Sequence, residues 1–183
     1  MVDNKLLTPA NMLTLGRLIC APLLVFLILQ SHWWASAACM IFAIASDTLD
    51  GICARRLNQA SRLGGIFDHA TDAIFVSSGC WALAQLGLIN AWLWAFIAAA
   101  FTQYLLDSGA ITTRSLRASW LGRINGIAYF ALMAIVVSSM LPLLAEQLNL
   151  MLRQFGLYFS WLLLATTIFS MLDRFYSQLT CER

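Results

Sequence analysis

Six stretches of about twenty mainly apolar residues follow one another along this 183-residue chain, each long enough as a helix to cross the hydrocarbon core of a bilayer. They run from Asn11 to Gln30, Trp33 to Leu57, Ile66 to Leu88, Ala91 to Thr112, Leu121 to Leu144 and Leu152 to Phe175. The links between them are short, which leaves no room for a separate soluble domain. Composition agrees: 61% of the residues are apolar or aromatic and only 11% are charged, where a soluble domain carries roughly a quarter charged residues. These values exclude a water-soluble enzyme, a disordered linker and a nucleic-acid binder. The expected fold is an all-α integral membrane protein, six transmembrane helices in one bundle, with residues 1–183 as a single domain. No small-residue cleavage site follows the first stretch, which therefore reads as a span and not as a signal peptide. The five cysteines are scattered without metal-ligand spacing and read as small packing residues.

Charge placement predicts an orientation. Of eleven lysines and arginines, Lys5, Arg17, Arg55, Arg56, Arg62, Arg114, Arg117, Arg123, Arg174 and Arg183 fall on the side of the termini, and Arg153 alone on the other. By the positive-inside rule both termini are cytoplasmic. Trp33, Trp34, Trp92 and Trp94 lie at the opposite ends of the stretches, where amphipathic rings anchor a helix at the interface.

The acidic residues carry the chemistry. Four of the nine, Asp47, Asp50, Asp68 and Asp72, lie around the junction of the second and third stretches. Carboxylates this close to hydrocarbon are costly unless they face a cavity, a cation or a partner. Asp47 and Asp50 are three apart, Asp68 and Asp72 four apart, so each pair shares one helix face. Two adjacent helices would then present four carboxylates to one space, a repulsive arrangement that two divalent cations would balance. Oxygen ligands of this kind suit Mg2+ or Mn2+, ions that commonly act on phosphate-bearing substrates. Gly51 and Ala54 leave steric room beside the first pair, and Arg55 can pair with phosphate oxygens. His69, one helical step from Asp68, is expected to face away from the ligands, toward a neighbouring helix or headgroups. Gly122 and Gly126, four apart, are expected to permit close helix packing.

The run Asp47-Thr-Leu-Asp50-Gly51-Ile-Cys-Ala54-Arg55, followed by Gly64-Gly-Ile-Phe-Asp68-His-Ala-Thr-Asp72, resembles the signature of the CDP-alcohol phosphatidyltransferase family. All eight fixed positions of that signature, between residues 47 and 72, are occupied. The segment Pro9-Ala-Asn11-Met-Leu-Thr14-Leu-Gly-Arg17 also looks like the start of the first helix in that family. The resemblance implies transfer of a phosphatidyl group from CDP-diacylglycerol to a small alcohol with release of CMP, in phospholipid synthesis. It implies that Asp47, Asp50, Asp68 and Asp72 coordinate two divalent cations, Mg2+ or Mn2+, with Asp72 also the general base. Gly51, Ala54, Arg55 and Gly64 would shape the site of the CDP moiety, and Arg123 would bind the acceptor's phosphate. The family places such a site at the cytoplasmic face of a membrane, here the inner membrane of a bacterium, with membrane lipid as surroundings and a homodimer as one open arrangement.

The acceptor is expected to be glycerol 3-phosphate, as in short bacterial phosphatidylglycerophosphate synthase-like members. Many users of that acceptor carry Pro-Leu-Ala between the last two aspartates and Lys after them. This chain has His69-Ala70-Thr71 and Ala73 instead, so inositol phosphate, phosphatidylglycerol and serine stay open, as does a CDP-amino-alcohol donor. A different class, a cation transporter using the intramembrane aspartates, accounts for the acids but not for the glycines and arginine at fixed distances from them.

Overall fold

The computed structural model describes residues 9–56, 62–107 and 120–181, and the side chains of 15–46, 65–106 and 120–177. The described elements are six α-helices, with no strand among the described residues: α1 (Pro9–Leu29), α2 (Trp33–Arg56), α3 (Arg62–Gln85), α4 (Leu93–Asp107), α5 (Trp120–Ser138) and α6 (Glu146–Cys181). Each corresponds to one of the six apolar stretches. By length and composition two are able to cross a membrane within the described residues, over Trp120–Ser138 and Glu146–Ser177. The apolar parts of α1, α2 and α4 are shorter, Leu15–Leu29, Trp33–Ser46 and Leu93–Leu106.

Two helix ends show why the chain reverses so tightly. After α3, Gly87 adopts φ +69°, Leu88 N–H donates to Leu83 carbonyl and Gly87 N–H to Ala84 carbonyl, the paired bonds of a Schellman cap. After α1 the same bonds run from His32 to Leu27 and from Ser31 to Ile28, with Ser31 at φ 58°. The reversal between α3 and α4 is then held to α6, because the backbone N–H of Asn90 donates to Ser160 Oγ at 2.9 Å while Asn90 Oδ1 accepts from Trp92 N–H.

α1 packs on α2 and α3, α3 on α4, α4 and α5 on α6, and α5 also on α2 and α3. The core runs through Leu24 and Ile28 of α1, Phe75, Cys80 and Leu83 of α3, and Leu132, Met133 and Val136 of α5, all buried. Small residues let the helices approach: a Cβ at Gly156 would lie 2.7 Å from Val136 Cγ2, so α6 meets α5 there at a distance that glycine alone permits. Polar stitches join the same two helices, Thr166 Oγ1 to Asn125 Oδ1 at 3.0 Å and the Tyr129 and Thr167 hydroxyls to each other. Of the four tryptophans expected as anchors, Trp34 and Trp92 are exposed, whereas Trp33 and Trp94 pack against the core.

Candidate active site

Asp68 and Asp72 lie in the first half of α3, one turn apart on one face. α1 packs on that face and inserts Arg17, which is wholly buried. Its Nη1 donates to Oδ1 of Asp68 at 3.0 Å and also to Oδ1 of Asp72. Arg17, which the charge pattern counts on the side of the termini and the family resemblance sets at the start of the first helix, is an interior partner of the acids. Burying a guanidinium is tolerable because two charge-assisted bonds offset its desolvation. The carboxylates themselves stay partly open, with side chains 30% and 27% exposed.

His69 meets its expectation in part, because its ring reaches Tyr104 of the neighbouring α4, yet it does not leave the acids. One donor atom from each of Asp68, His69 and Asp72 lies within 4.8 Å of the others. The 100° step between neighbours determines where a Cβ starts, but the imidazole is long enough to return to the acids. Two carboxylates and an imidazole in this compass form a donor set that fits a hard or borderline divalent cation.

Asp72 and His69 also line an open cavity of about 430 Å³ between α3, α4, α5 and α6. Arg123, at the start of α5, and Arg174, near the end of α6, line it too. Tyr104 of α4 stands between the two sides: the His69 ring meets it edge-on at 6.0 Å, and Arg174 Cζ lies 5.2 Å from its centroid. Nearby, Gln103 Nε2 donates to the Met171 carbonyl at 3.0 Å and ties α4 to α6. Arg174 Nε is buried without a hydrogen-bond partner among the described residues. The remaining walls are largely apolar, Ile97, Phe101, Ile127 and Phe130 among them. Gly122 and Gly126 belong to this lining, and a Cβ at Gly126 would meet nothing within 4 Å. Gly126 therefore faces the cavity and not a tightly packed helix, contrary to the expectation from its spacing.

The structure thus brings Asp68, Asp72 and Arg123 to one end of the bundle and adds Arg17, His69, Tyr104 and Arg174. No local signal marks Tyr104, and Arg174 stands so near the end of its stretch that it reads as an ordinary boundary charge; only the packing of α4 and α6 brings both to the site. Arg17 did carry a signal, an arginine inside an otherwise apolar stretch. Asp47, Asp50, Gly51, Ala54 and Arg55 fall on α2 and Gly64 in the first turn of α3, but their side chains lie outside the described residues.

Comparison with known proteins agrees with the signature. The chain is similar to a CDP-diacylglycerol–glycerol-3-phosphate 3-phosphatidyltransferase of Aquifex aeolicus, 40% identical over 65 residues, 36% of each chain. It is similar to a cardiolipin synthase (CMP-forming) of Streptomyces coelicolor, 33% identical over 115 residues, 59% of this chain and 53% of that one. A chloroplastic/mitochondrial glycerol-3-phosphate 3-phosphatidyltransferase of Arabidopsis thaliana is 36% identical over 78 residues, 41% of this chain and 26% of that one. The chain spans about half the length, or less, of these curated relatives. The sequence profile of the CDP-alcohol phosphatidyltransferase family matches residues 7–172, most of the chain, and the protein belongs to that family.

Proposed function

We propose that the protein transfers a phosphatidyl group from CDP-diacylglycerol to an alcohol and releases CMP, at the cytoplasmic end of a six-helix bundle in a bacterial inner membrane. One observation carries this reading: Asp72 belongs at once to the Asp68–His69–Asp72 group and to the wall of a cavity that also carries Arg123 and Arg174. A carboxylate, a donor set that fits a cation and two arginines share one place, which supports the reading.

Asp47, Asp50, Asp68 and Asp72 would hold two dications, Mg2+ or Mn2+, with His69 as a further donor. When bound, such ions neutralise the donor's diphosphate and make CMP a better leaving group. Gly51, Ala54, Arg55 and Gly64 would accommodate the cytidine diphosphate. The acceptor hydroxyl oxygen attacks the phosphorus that bears the diacylglycerol, the bond from that phosphorus to the CMP oxygen breaks, and Asp72 takes the hydroxyl proton. Arg123 and Arg174 orient an acceptor that carries a phosphate, for which glycerol 3-phosphate is the first choice. A lipid acceptor such as phosphatidylglycerol is the second reading, favoured by the apolar walls of the cavity. Cation transport is disfavoured by Arg17, whose charge sits among the acids a cation would have to pass.

The test is reconstitution with CDP-diacylglycerol, Mg2+ or Mn2+, and a panel of alcohols, with CMP release as the readout. Metal-dependent release that falls by about a thousandfold or more in Asp72→Asn is the expected outcome. Ion flux across the vesicle without CMP would overturn the reading.

A further inference from the structure

Arg123 and Arg174 line the cavity, but Arg17 is bonded to the very acids around which the ions are proposed to sit, and its charge has the same sign as theirs. It lies in the third turn of α1, fully buried, and one nitrogen, Nη1, binds an oxygen of each of Asp68 and Asp72. Those carboxylates are two of the three groups whose donor atoms cluster as a candidate cation site. A guanidinium this close opposes a second cation in two ways. Its N–H groups occupy carboxylate lone pairs that an ion would use, and its charge repels the ion through a partly desolvated space where Coulomb interactions are poorly screened.

We propose that Arg17 is a built-in rival of the metal ion: a positioning residue that aligns Asp68 and Asp72 against α1 and lowers the affinity of their site for a dication. This inference rests on the metal-dependent reading above. Its consequence is that cation affinity is determined by the packing of α1 on α3 and not by the acids alone. It also means that an ion binds weakly by itself and more firmly once an anionic diphosphate adds negative charge to the same space.

The experiment is titration of the purified full chain in detergent with Mn2+ alone, the free ion being followed by its electron paramagnetic resonance signal. Arg17→Met, close in length and uncharged, is expected to bind Mn2+ at least about tenfold more tightly than the natural protein. Arg17→Lys, which keeps the charge, is expected to stay within about threefold. Equal or weaker binding by Arg17→Met, with its helical circular dichroism retained, overturns the rivalry. If Arg17→Met does not fold, the guanidinium nitrogen resonance of Arg17, assigned by its loss in Arg17→Lys, decides: it shifts on saturation with Mg2+ if the proposal holds, and an unmoved resonance overturns it. Asp68→Asn separates the two readings. If it abolishes Mn2+ binding while Arg17→Met leaves the affinity unchanged, only the role of Arg17 falls. If the natural protein binds no Mn2+, the metal-dependent function falls and the rivalry with it.

Discussion

Tyr104 shows how much one side chain can decide at the residue scale. Its ring is touched edge-on by His69 and lies beneath Arg174, so a single aromatic relates the acid side of the site to a basic residue of α6. A cation–π contact contributes on the order of 0.5–2 kcal/mol, the upper end applying where the cation is desolvated. In Tyr104→Leu the Arg174 guanidinium loses that support, and the expected result is a KM for a phosphate-bearing acceptor raised about tenfold with kcat changed less. Steady-state kinetics checks this, and an unchanged KM would remove Arg174 from acceptor binding. The position illustrates a general limit of reading residues singly. Aromatic residues are common in apolar helices, so nothing local distinguishes Tyr104 from the Phe101 beside it.

At the scale of elements, helix identity was legible because each helix needs a long apolar run and each has a definite stop. The α1–α2 and α3–α4 reversals use the same capping bonds, although one places serine and the other glycine in the left-handed region. How the helices pair was less legible. Gly122 and Gly126 have the spacing of a packing motif, yet close approaches occur at Gly79, beside Met133 of α5, and at Gly156, where α6 meets Val136 of α5. A methyl group there must displace Val136, and overpacking of this kind costs about 1–3 kcal/mol. Gly156→Ala is therefore expected to lower thermal stability in detergent, and Val136→Ala in the same molecule to recover part of the loss. Additive losses in the double variant would show that the two residues do not share one contact.

The whole molecule gathers the residues of the candidate site toward one end of the bundle. The starts of α1, α3 and α5 and the ends of α4 and α6 supply Arg17, Asp68, Asp72, Arg123, Tyr104 and Arg174, as alternating up-and-down helices must if their odd members all begin on one side. At 1.5 Å per residue the 36-residue α6 is about 54 Å long, well beyond a hydrocarbon core of about 30 Å. The proposed orientation makes the C-terminal end of α6 cytoplasmic. A variant whose single cysteine is Cys181 is expected to react with a membrane-impermeant thiol reagent in inverted vesicles and not in intact spheroplasts, and a Trp92→Cys variant lacking the other cysteines to show the reverse. Labelling of both from the same side would overturn the six-span topology.

The amino-acid sequence by itself determined the helices and the acidic motif, because hydrophobic run length and one-turn spacing are local properties that survive any packing. Tertiary structure alone decided that Arg17 lies between Asp68 and Asp72, that His69 meets Tyr104 of α4, and that Arg174 reaches the same cavity across Tyr104. These are contacts between helices, and in a chain that is apolar on nearly every face the pattern of residues does not say which faces meet.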